Sequence, residues 1–107
     1  NLAHGEQRQL EIAMALATEP KMLLLDEPTA GMGAEESENM RQFLRRLKGE
    51  YSMLLIEHDM DTVFSLADRV TVLVYGRAIA TGSPDEIRNN SEVRAAYLGE
   101  DEVQTDA

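Results

Sequence analysis

Two acidic side chains close an apolar run in Met22-Leu23-Leu24-Leu25-Asp26-Glu27-Pro28. Asp26 can hold Mg2+ directly or through a water, because that hard cation prefers oxygen ligands and keeps much of its hydration. Glu27, one residue on, can accept the proton of a water attacking a terminal phosphoryl group. A buried strand that simply ends in two solvated acids has the same pattern. His58, in Ile56-Glu57-His58-Asp59, also follows an apolar run. Its imidazole can donate to a phosphoryl oxygen and orient the water, although a lone histidine is more often structural or exposed. The third candidate is Asn1-Leu2-Ala3-His4-Gly5-Glu6-Gln7. A small-residue loop feeding a helix start presents free N–H groups and the positive end of a dipole, and both favour a phosphate. An ordinary cap built on Gly5 reads the same way.

The elements that must position these residues follow from spacing. From Glu6 to about Thr18, Leu10, Ala13, Met14 and Ala17 recur on one helical face, and Pro20 ends the helix. The runs Lys21 to Asp26 and Ser52 to Glu57 suit strands buried on both faces, as in a parallel sheet. Between them, Pro28 to Gly33 reads as a loop, and residues 34 to 48 as a helix with Met40, Phe43, Leu44 and Leu47 on one face. Acids early and bases late in that helix suit its dipole, and Gly49 is a natural stop. A helix from about Asp59 to Ala67 is expected to bury Met60, Val63, Phe64 and Ala67. Arg69 to Tyr75 and Arg77 to Thr81 read as a hairpin turning at Gly76. Ser83-Pro84-Asp85-Glu86 starts a helix with a capping box, and a last helix is expected over Ser91 to Leu98. This alternation predicts an α/β layer fold, with a mostly parallel sheet, flanking helices and a C-terminal antiparallel hairpin. Ligands on such sheets sit beyond the C-terminal strand ends, where Asp26, Glu27 and His58 fall.

Composition narrows the classes. The chain has 107 residues, a net charge of −10, 43% hydrophobic residues and no cysteine. It fits one domain or a piece of one, with no disulfide or thiolate metal site. The acidic balance argues against a nucleic-acid partner, which would demand clustered Lys and Arg. No apolar run approaches the roughly 20 residues of a membrane span. Residues 101–107 carry no apolar period and read as a solvated acidic tail.

Taken together, the three candidates resemble the ABC ATPases. Leu2-Ala3-His4-Gly5-Glu6-Gln7 is similar to that family's LSGGQ signature, and Arg8 to Ala17 to its signature helix. Pro20 to Thr29 closely resembles its Walker B block, and the separation of Glu27 from His58 fits its switch histidine. Tyr75-Gly76-Arg77 with Gly82 to Ile87 looks like the hairpin and helix of transporter-type members. Ala30-Gly31-Met32-Gly33 and the ending Ala96 to Glu100 resemble ATP-binding subunits of branched-chain amino acid importers, with urea and short-amide importers as close neighbours.

The resemblance implies that residues 1–100 are the C-terminal part of a P-loop NTPase-like domain. It implies ATP and Mg2+ as cofactors, Asp26 assisting the metal, Glu27 as general base and His58 on the γ-phosphate. Leu2, Ala3, His4, Gly5, Glu6 and Gln7 would cap the nucleotide of a second ATPase domain in a head-to-tail dimer. Transmembrane permease subunits, and indirectly a solute-binding protein, would be partners, with the chain peripheral on the cytoplasmic face of the membrane. There are departures: Ala3 replaces the signature serine, His4 a glycine, and Gly33 the aspartate of the loop after Walker B. No GxxxxGK[ST] occurs in the 107 residues, so the isolated chain is expected to hydrolyse ATP negligibly and to cover exposed sheet edges by oligomerising or rearranging. The alternative is a non-catalytic interaction or regulatory module that reuses the fold.

Overall fold

A computed structural model of the chain describes residues 4–98, which fall into two compact units divided after Leu66. The acidic tail, Leu2 and Ala3 lie outside the described residues. The first unit runs α1 (His4–Leu16), β1 (Met22–Asp26), α2 (Ala34–Lys48), β2 (Ser52–Ile56), α3 (Met60–Leu66). β1 and β2 pair in parallel, with Met22 opposite Ser52 and Asp26 opposite Ile56. Leu23 and Leu25 point from β1 into a core shared with Ile12, Met40, Leu44 and Leu66. Met40 and Leu44 are fully buried.

The expectation that both strands are buried on both faces does not hold. Burial alternates along β1, and Met22, Leu24, Leu54 and Ile56 are each more than half exposed. The physical reason is that the core residues of α1, α2 and α3 all gather on the Leu23–Leu25 side. Two helix faces also differ from the expected ones. In α1 the buried residues are Gly5 and Ile12, whereas Leu10 and Met14 are 50% and 65% exposed. In α3 the buried pair is Thr62 and Leu66. Thr62 is tolerated there because its hydroxyl donates to Asp59 Oδ2 at 2.8 Å and accepts from Arg41 Nη1 at 3.3 Å. The α2 face agrees with expectation, and Gly49 caps it, although in right-handed rather than left-handed conformation (φ −74°).

The second unit is β3 (Val70–Val74), β4 (Arg77–Gly82), α4 (Pro84–Arg88) and α5 (Ser91–Val93). β3 and β4 pair antiparallel, with a bulge at the step from Val72 to Leu73. Tyr75 (φ 49°) and Gly76 (φ 76°) are both left-handed, the backbone of a two-residue hairpin turn whose twist matches the strands. Ser83 and Glu86 form the expected capping box, with Pro84 leading the helix. The expected helix over Ser91 to Leu98 is instead α5 followed by a π-helical turn, Arg94–Leu98. The widened turn accompanies a bond from the Tyr97 hydroxyl to Leu73 O. Val70, Val72, Ile87 and Val93 are this unit's buried apolar residues. No described helix is long and apolar enough to cross a membrane.

Candidate functional site

The parallel register brings the C-terminal ends of β1 and β2 to one rim. The Glu27 N–H donates to Ile56 O at 2.7 Å, one step beyond the strand pairing. Glu27 is left-handed (φ 49°), an uncommon conformation for a residue with a side chain. Its carbonyl is held from two sides, by Ala30 N–H at 3.0 Å and Arg8 Nη1 at 3.3 Å. So fixed, the Glu27 side chain meets His58, whose Nδ1 bonds to Glu27 Oε1. An ionised carboxylate only accepts, so Nδ1 carries the ring proton and Nε2 is the unprotonated nitrogen of the neutral imidazole. The pair is open to solvent, with side chains 44% and 74% exposed.

Asp26 stands on the exposed side of β1. It borders a cavity of about 220 Å3 together with Arg8, Glu11, Ile12, Leu23 and Pro28, a cavity whose lining includes neither Glu27 nor His58. Among the described residues, no three His, Asp or Glu side chains gather into a metal cage. A lone strand-end carboxylate fits Mg2+ drawing most of its shell from phosphate and water, and does not fit a cation needing an all-protein cage.

The first two residues of α1 are tied to the loop after β1 and to α2. His4 Nε2 donates to Ala30 O at 3.2 Å, and Gly5 N–H donates to Glu36 Oε2 at 2.9 Å. A Cβ on Gly5 would lie 3.0 Å from that same oxygen, so the approach suits glycine. The helix start expected to offer free N–H groups thus has one of them taken by a carboxylate from α2. Glu6 and Gln7 follow, exposed, in the first turns of α1. Gly33, standing at the N-cap of α2, supplies no side-chain cap.

Several residues here escaped the sequence reading. Glu57 Oε2 accepts from both Thr29 N–H (3.0 Å) and Thr29 Oγ1 (2.6 Å). Arg41 reaches Glu38 at 2.8 Å and Asp59 at 3.8 Å. The Arg41 bond to the Glu38 carboxylate holds that acid below its ordinary range. The available signal was adjacency, since Glu57 and Asp59 flank His58 and Thr29 follows Glu27 by two residues.

The family described as ABC transporter matches residues 1–30, and that described as branched-chain amino acid ATP-binding cassette transporter matches residues 79–104. The chain is 46% identical over 102 residues to the high-affinity branched-chain amino acid transport ATP-binding protein LivG of Salmonella typhimurium, covering 94% of this chain and 40% of that protein. It is 45% identical over 101 residues to the protein of the same description, BraF, of Pseudomonas aeruginosa, covering 92% of this chain and 40% of that one. Among solved structures, the ADP conformation of MJ1267, an ATP-binding cassette of an ABC transporter, superposes with a TM-score of 0.81 at 31% identity, over 94% of this chain and 41% of that one. The chain therefore spans about 40% of the length of the curated relatives it matches.

Proposed function

The chain belongs to the ABC transporter ATP-binding family, and on that premise we propose that it forms the hydrolytic part of an ATP-binding subunit that drives import of branched-chain amino acids. The observation that carries this reading is the pairing of Glu27 with His58 at the rim of β1 and β2. Glu27 acts as general base. His58 occupies its Oε1, and Oε2 takes the proton of the attacking water. His58 turns Nε2 toward the γ-phosphate, and donates to it either as an imidazolium or after releasing Glu27. Asp26 would hold Mg2+, directly or through a water. When bound, the metal neutralises charge on the phosphates.

Leu2, Ala3, His4, Gly5, Glu6 and Gln7 cap the nucleotide of a second ATPase domain in a head-to-tail dimer. The Glu36 carboxylate must leave the Gly5 N–H before a phosphate takes it. Permease subunits receive the resulting closure, a solute-binding protein acts through them, and the assembly places this chain on the cytoplasmic face of the membrane. The 107 residues contain no GxxxxGK[ST], so the main phosphate cradle is contributed from outside them.

The test is ATP turnover by a complete ATP-binding domain that carries this segment. Glu27→Gln is expected to lower kcat by at least about a hundredfold, with ATP still bound. Undiminished turnover in that variant, or clear Mg2+-dependent turnover by the isolated 107 residues, contradicts the proposal.

A further inference from the structure

We infer that Glu57 is the positioning residue that keeps Glu27 and His58 in register, a reading that rests on the function proposed above. Neither member of the pair can hold itself. Both side chains are substantially open to water, where ion pairs contribute little and long side chains wander. The carboxylate of Glu57 is better placed. It lies between the loop that follows Glu27 and the turn that follows His58. Its Oε2 takes two bonds from Thr29, a residue 6% exposed, and its Oε1 lies 3.5 Å from Asp59 N–H. One side chain thus fastens the segment two residues after Glu27 to the residues on either side of His58.

The chemistry of the clamp explains why a carboxylate stands there. All three groups facing it are donors: the Thr29 N–H, the Thr29 O–H and the Asp59 N–H. An ionised carboxylate accepts from all of them. A glutamine offers one acceptor oxygen and turns an NH2 toward the remaining donor. An aspartate is one methylene short of Thr29. The second fastening is the Asp59–Thr62–Arg41 chain of hydrogen bonds, which anchors the far side of the turn to the core face of α3. Loosening the Glu57 clamp therefore shifts the loop of Glu27 relative to His58, while both strands and their pairing remain. A displacement of about 1 Å at reacting groups is enough to cost on the order of a hundredfold in rate.

The experiment measures steady-state ATP hydrolysis in a complete ATP-binding domain carrying this segment. The variants are Glu57→Gln and Thr29→Val, each also combined with His58→Ala. Glu57→Gln is expected to lower kcat roughly ten- to a hundredfold and leave KM for ATP within about twofold. Thr29→Val keeps the N–H and side-chain shape, and is expected to lose less than Glu57→Gln in the same direction. Once His58→Ala is present, neither change should lower kcat further. Unchanged kcat in both single variants, a rise in KM with kcat intact, or full multiplication of the losses with His58→Ala overturns the inference. Absence of turnover in the unsubstituted domain instead overturns the proposed function and is distinguishable from all three.

Discussion

The carboxylate of Glu27 and the imidazole of His58 are hydrogen-bonded to one another across the ends of two parallel strands. Because the acid accepts, the ring proton sits on Nδ1 and Nε2 is left as the acceptor nitrogen of the neutral ring. It also divides the carboxylate into an oxygen engaged by His58 and one left for another proton. The backbone at Glu27 is left-handed, and hydrogen bonds to Ile56, Ala30 and Arg8 hold it.

Asp26 is expected to act on the metal and not on the proton. Replacing it with asparagine keeps the shape and removes the charge. Turnover by the complete domain should then require roughly ten- to a hundredfold more Mg2+ for half-maximal rate, as when an outer-shell partner is lost. Titration of rate against Mg2+ checks this, and an unshifted half-saturation point would exclude Asp26 from the metal site.

The α4 capping box is expected to be acid-sensitive. The Ser83 backbone N–H, and secondarily the Ser83 hydroxyl, hold the Glu86 carboxyl below its ordinary value of 4.5. A group whose folded pKa is lowered contributes stability above its unfolded pKa and loses it as pH falls through the folded one. Unfolding measured from pH 6 downward, with pH 6 being roughly the plateau for carboxylates, should show this contribution disappearing below 4.5. Glu86→Gln still accepts from Ser83, since glutamine also serves in the box, and should flatten that part of the profile.

The hairpin tip offers a stabilising change. Tyr75 is fully exposed and left-handed beside Gly76. Asparagine is favoured at that position of a two-residue turn, and Tyr75→Asn should raise stability by about 0.5–1 kcal/mol. Denaturant midpoints measure it.

Burial predicts opposite outcomes for two methionines. Met40→Ala, in the centre of the first unit's core, should cost about 2–5 kcal/mol. Met14→Ala, at a 65% exposed position, should stay within about 0.5 kcal/mol. Comparable losses in urea unfolding would mean that the α1 face is covered.

The order and type of the elements were legible in the sequence because the strands are short apolar runs and the helices have clear stops. The α2 face was legible because Glu, Gln and Arg leave only one apolar stripe, led by Met40 and Leu44. In α1, Leu10, Ile12, Ala13, Met14 and Leu16 surround the helix, so spacing alone did not select Ile12 as the buried residue. The alternation of exposure in β1 was hidden because Leu23, Leu24 and Leu25 are identical in type. Glu27 and His58 stood out by chemistry and strand-end position, which the parallel register brings together. The Glu57–Thr29 bonds depend on three-dimensional closure between residues 28 apart, and no periodicity announces them. The capture of Gly5 N–H by Glu36, 31 residues away, was invisible for the same reason.

Glu27 and His58 are expected to act as a unit. The most direct measurement is a double-mutant cycle on kcat for ATP hydrolysis in the complete domain, using Glu27→Gln, His58→Ala and the double variant. The double variant is expected to be about as slow as the slower single one, as for residues that share one step. Losses that multiply, or a single variant with unaltered kcat, would contradict it.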